Sequence, residues 1–146
     1  MTRVLVLVDG FHTRQLLDAL NRLLPLQDTE LLLVYVQGPG PRAGLDLVKH
    51  RPGGHRLPPH REHELASAED AGAQTALAEA TELARGLATH VETKQLRGEP
   101  GHAVCELALQ SHADLVAIRA PGTLGPVSRF VTDHSPCPVV LIRGAD

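Results

Sequence analysis

ADLVAIRAPGTLGPVSRFVTDHSPCPVVLIR, from Ala113 to Arg143, is the stretch whose reading decides the fold. Asp114 to Arg119 reads as a short buried strand, because Leu115, Val116 and Ile118 form an apolar run with turn residues behind it. Gly122 and Gly125 loosen the chain, and Val127, Phe130 and Val131 then fall at helical spacing. Pro136 and Pro138 flank Cys137 and stop that helix, leaving Val139 to Ile142 as a last strand. Strand, loop, helix and strand in that order make one crossover unit of a parallel sheet.

Upstream, the same alternation repeats. Arg3 to Val8 (RVLVLV) is a nearly unbroken apolar run, as a central strand covered on both faces requires. Asp9 and Gly10 end it, and His12 to Leu24 carries a leucine stripe at helical spacing, closed by Pro25. Thr29 to Val36 (TELLLVYV) reads as a second buried strand. Glu64 to His90 reads as a long Ala-rich helix whose packing stripe runs through Leu65, Gly72, Ala76, Ala80, Leu83 and Leu87. Val91 to Arg97 is more polar and alternating, as suits an edge strand. Gly98 to Gly101 turns the chain into a further helix, buried through Val104, Leu107 and Ala108. Cys105 on that helix reads as a small, partly packed residue. Five strands alternating with helices imply a doubly wound parallel α/β sheet with helices on both faces.

Composition bounds the rest. At 146 residues and 15.7 kDa the chain is expected to be a single domain over residues 1–146 with an aliphatic core, since aromatic residues make up only 2%. A net charge of -3 offers no general attraction to nucleic acid or to a lipid surface, so neither is an expected partner. No run approaches the ~20 apolar residues of a membrane span, and the N-terminus has no secretory pattern. A cytoplasmic protein is the expectation. Cys105 and Cys137 make neither a disulfide framework nor a zinc spacing.

Gln37 to His63 stands apart, rich in Gly and Pro, with His50, His55, His60 and His63 among Arg51, Arg56 and Arg61. Its functional readings are anion capture by the arginines or transition-metal binding by the imidazoles. The spacing matches no established metal motif, only His60 and His63 could share a helical face, and a mobile loop is the plainer expectation.

The quoted C-terminal stretch resembles the C-terminal signature of the universal stress protein family. The similarity extends to VLVLVDG near the N-terminus, LLLVYV in the second strand and GEPGHAVCELALQSHADLVAI before the loop. The resemblance implies an adenine nucleotide alpha hydrolase-like fold with strand order 3-2-1-4-5, which spacing alone does not fix. It further implies that Asp9 contacts an adenine base and that the backbone at Val36 holds the adenine edge. Asp9, read from its residue type alone, accepts backbone N–H groups and starts the next helix; the two roles are compatible.

Nucleotide-binding members of that family carry Gly, two residues, Gly, nine residues, then Gly-Ser or Gly-Thr after the fourth strand. Such glycines let backbone N–H groups at a helix start receive phosphate oxygens. In this chain the loop is degenerate. Arg119 stands at the first glycine position, Gly122 at the second, and only Thr123 and Leu124 separate it from Gly125. Pro126 replaces the hydroxyl residue and removes an N–H donor, while Ser128 matches a hydroxyl position that often follows. Arg119 reads either as a phosphate-binding guanidinium or as a surface charge at a strand end.

No nucleophile elbow or triad surrounds Ser128 and His134, and Cys137 between prolines reads as structural, so no catalytic residue is assigned. The expectation is a stress-response protein acting as a regulatory binding module without enzymatic activity, metal or obligate cofactor. ATP or AMP binding, with slow or no hydrolysis, is the alternative, and metal binding by the histidine loop a second. Beyond an unidentified protein partner, the last strand, PVVLIR, is expected to pair with its copy in a homodimer. Its strong apolarity at a sheet edge calls for a cover, and Val140 is expected in the pairing region.

Overall fold

The computed structural model describes residues 1–37, 59–120 and 122–143, with side-chain surroundings in the second helix given from Ala71 onward. The strands are β1 (Thr2–Leu7), β2 (Thr29–Gln37), β3 (His90–Arg97), β4 (Leu115–Arg119) and β5 (Val139–Ile142). Among the described residues the helices are α1 (Thr13–Leu23), α2 (Pro59–Arg85), α3 (Pro100–Gln110) and α4 (Pro126–His134), with a 3-10 turn at Leu26–Asp28. The five strands form one sheet in the order β3-β2-β1-β4-β5, every pair parallel.

The period of two in β1 separates its side chains between two layers. Val4, Val6 and Val8 join Leu16, Leu17 and Leu20 of α1 and Ala76, Leu77, Ala80 and Ala84 of α2 on one face. Leu5 lies on the other, with Val104, Leu107 and Ala108 of α3 and Val131 of α4. β1 is therefore covered on both sides, which is why its sequence shows an unbroken apolar run rather than alternation. At the opposite end from the strand tips, Arg3 gathers the sheet. Its N–H donates to Asp114 Oδ2 at 2.8 Å, its Nε to Glu30 Oε2 at 3.1 Å, and its guanidinium also reaches the Ser111 carbonyl.

The long helix departs from expectation at both ends. It opens at Pro59, not Glu64, because proline suits the first helical turn, where its missing N–H costs nothing. It closes at Arg85; the N–H groups of Leu87 and Ala88 both return to the Ala84 carbonyl, and His90 already pairs with Glu30 in β3. Its buried stripe runs through Ala73, Ala76, Leu77, Ala80 and Ala84, while Gly72 faces solvent. Likewise β2 extends to Gln37, so the segment expected to be irregular is shorter than 37–63. The expected mobility of that segment, and His50 and His55 with it, fall outside the described residues; His60 and His63 lie in the first turns of α2.

α3 and α4 pack at close range through Gly101. A Cβ there would stand 2.7 Å from Phe130 Cδ1 and 3.0 Å from Phe130 Cβ, so only glycine admits the ring. The rings of His102 and His134 both contact Phe130, with ring centroids 4.3 Å and 4.2 Å from it. His102, exposed on α3, belongs to an aromatic cluster that joins the two helices.

Candidate nucleotide cleft

In an open parallel sheet, strands on either side of the point where the order reverses send their connections to opposite faces, and a crevice opens beyond their carboxyl ends. Here that point lies at β1, whose chain continues through α1 on one face, beside β4, whose chain continues through α4 on the other. A cleft of about 300 Å³ occupies this position. The ends of β1 (Leu7, Val8 and Asp9), β2 (Tyr35 and Val36) and β4 (Ile118 and Arg119) line it, together with Pro100 of α3 and Val127 and Ser128 of α4.

Four of the six residues singled out from the sequence, Asp9, Val36, Arg119 and Ser128, come together here from four separate elements. Asp9 is exposed, and its Oδ1 accepts the N–H of Phe11 at 2.8 Å. It organises the turn after β1 but does not cap α1, which starts later behind His12. Ser128 is 8% exposed, one turn into α4. Arg119 ends β4 half-buried on the floor of the cleft.

Gly122 and Gly125 lie apart from these four. Neither lines the cleft, neither has a left-handed φ, and a Cβ at either would meet nothing within 4 Å. The Gly122 carbonyl accepts instead from the guanidinium of Arg143, and Gly125 caps α4 with extended backbone ahead of Pro126. The conformational freedom of glycine is used elsewhere on this rim, at Gly10 (φ 85) and Gly98 (φ 128).

Tyr35 and Pro100 are among the lining residues that sequence reasoning missed, beside the apolar Leu7, Val8, Ile118 and Val127. A weak signal existed for the first two: Tyr35 is the chain's one tyrosine and precedes Val36, and Pro100 opens a helix directly after a strand. Away from the cleft, burial, and then the neighbouring Cys137, push the Cys105 thiol above its ordinary value. Cys105 thus holds its proton at neutral pH and is a poor nucleophile. Among the described residues no three His, Cys, Asp or Glu side chains gather to hold a metal ion, and no helix is long and apolar enough to cross a membrane.

The sheet order and the position of the cleft meet a matching sequence profile: the model of the universal stress protein family covers residues 1–143. The chain belongs to the universal stress protein family. Solved universal stress proteins share its fold. One is UspA of Lactobacillus plantarum, 24% identical over 97% of each chain with a TM-score of 0.73. An Arabidopsis thaliana family protein with AMP bound is 19% identical, over 100% of this chain and 94% of that one, with a TM-score of 0.73. A universal stress protein of Archaeoglobus fulgidus in complex with dAMP is 18% identical over 98% of each chain, with a TM-score of 0.66. Among curated proteins none matches the chain.

Proposed function

We propose that this universal stress protein is a regulatory binding module of the cytoplasm, working as a homodimer, whose cleft takes an adenine nucleoside monophosphate. One observation carries the reading: Asp9, Val36, Arg119 and Ser128 surround a single cleft of about 300 Å³, large enough for a base and ribose. Family members solved with AMP, dAMP and cAMP support the choice of ligand. In this arrangement the free oxygen of Asp9 accepts a ring amino group, the backbone at Val36 meets the base edge, and the apolar walls Leu7, Ile118 and Val127 exclude water from the ring.

Among the described residues of the cleft, charge on the ligand meets the Arg119 guanidinium and the Ser128 hydroxyl rather than a cradle of N–H groups. Pro126 supplies no N–H at the start of α4, and the flanking glycines stand outside the cleft. A first phosphate is therefore served and further phosphates are not. In this reading the module senses its ligand and relays occupancy to a protein partner; among the described residues nothing in the cleft pairs a nucleophile with a base.

Isothermal titration with AMP and ATP checks this. AMP is expected to bind saturably, and ATP no more tightly, with a dissociation constant of roughly 0.1 mM or weaker. Asp9→Ala should abolish the AMP signal. Low-micromolar ATP binding would overturn the argument from Pro126, and a wild-type protein blind to AMP would remove the reading.

A further inference from the structure

The chain has two phenylalanines, and they are treated very differently. Phe130 contacts two imidazoles and packs on Gly101, whereas Phe11 leaves 70% of its surface in water. Lone exposed apolar residues are common and by themselves carry no message. Phe11 is distinguished by what holds it. Gly10 before it (φ 85) and His12 after it (φ 52) are both left-handed, and left-handed backbone at a histidine is unfavourable. Between them the Phe11 N–H is bound at 2.8 Å by Asp9 Oδ1, the carboxylate that lines the cleft. The backbone of residue 11 is thus tied to a residue that lines the cleft, and its side chain, a flat apolar ring outside the cleft lining itself, is left exposed to solvent.

We infer that Phe11 is a ring-stacking residue of the cleft, closing over the planar heteroaromatic ring of the bound ligand. This rests on the reading of the cleft as a nucleotide site and adds a specificity determinant to it. Asp9 serves both partners: Oδ1 holds the Phe11 loop, and Oδ2, which accepts no hydrogen bond among the described residues, is left for a donor on the ring edge. Hydrogen bonding at the edge and stacking on the face read different properties of one ring. The first demands an N–H donor and the second only a π-system, since every base has a face to stack on. Adenine and its analogues satisfy both, while a sugar phosphate satisfies neither. Burial of the phenyl ring on binding also recovers the apolar contact that the free protein forgoes.

The absence of tryptophan from the chain makes the test direct. Phe11→Trp introduces a single indole, whose emission should be quenched by AMP with the midpoint seen in calorimetry, and left unchanged by ribose 5-phosphate. Phe11→Ala should weaken AMP binding by about fivefold to a hundredfold, with Phe11→Leu between alanine and wild type. The thermal midpoint of Phe11→Ala should match wild type, because the ring is exposed in the free protein. AMP binding equal in wild type and Phe11→Ala would overturn the stacking role while leaving the cleft a nucleotide site. A wild-type protein that does not bind AMP would remove both.

Discussion

Truncation of Leu5 to alanine is expected to lower stability by about 3 to 5 kcal/mol and the thermal midpoint by roughly 10 °C or more. Leu5 has no exposed surface, sits in the middle of the central strand, and packs into the layer formed by α3 and α4. The strands beside it and the helices above it are tied by ladders and by the close Gly101 contact, so the vacated space cannot collapse. A domain of this size is stable by roughly 5 to 15 kcal/mol, so one such truncation removes a large part of the total. Leu141 is a control of identical chemistry. It is only half-buried, on the outermost strand, and its truncation in an isolated protomer should cost about 1 kcal/mol. Urea denaturation of the two variants, compared at constant slope, checks the contrast.

The second large effect concerns assembly. β5 pairs with β4 on one side, and among the described strands nothing pairs with the other. The carbonyls of Pro138 and Ile142 accept from Val116 and Ala120, so the period of two turns Val140 toward β4 as well. Val139 and Leu141 are then the residues whose N–H and C=O groups face the open edge. Val140, expected from the sequence to lie in the pairing region, is the wrong place for a proline, because its N–H belongs to the intrachain ladder. Leu141→Pro is the discriminating variant. It removes a donor from the open edge only, and should convert a dimer into a monomer at micromolar concentration by light scattering. The wild-type midpoint should rise with protein concentration and that of Leu141→Pro should not, as mass action requires. A wild-type monomer would sink the proposed dimer, and a dimer indifferent to Leu141→Pro would move the interface away from β5.

Element order was legible wherever apolar runs and breakers coincide: RVLVLV before Asp9-Gly10, TELLLVYV, and the PVVLIR strand all appear as expected. Strand order was not contained in spacing and came with the family resemblance, because crossover lengths do not say on which side of β1 a strand joins. The stripe of α2 was read in the right phase at Ala76, Ala80 and Leu83 but wrongly took in Gly72, for a physical reason. Ala71, Ala73, Ala76, Ala78, Ala80 and Ala84 place the same small side chain on several faces, so the apolar pattern gives little contrast with which to orient the helix. At the cleft, Asp9, Val36 and Arg119 were singled out through the family resemblance, and all three stand at the carboxyl ends of strands, where the crevice opens. Gly122 and Gly125 were chosen by motif position, and their backbone takes ordinary φ values away from the cleft. Tyr35, Pro100 and the exposure of Phe11 depend on how elements meet, which no single segment displays.

The placement of β1 also governs when the molecule becomes whole. β1 is the first strand made, yet it lies between β2 and β4, and its Arg3 N–H reaches Asp114 across a separation of 111 residues. While the N-terminal half exists alone, β1 can pair along one edge only, and its other edge stays open until β4 arrives. Loop closure over that distance precedes most of the packing that rewards it, which is expected to slow folding and to leave the half-formed sheet adhesive. A newly made chain thus stays dependent on its last third, and truncation or stalling anywhere before β4 leaves a sticky fragment rather than a smaller domain.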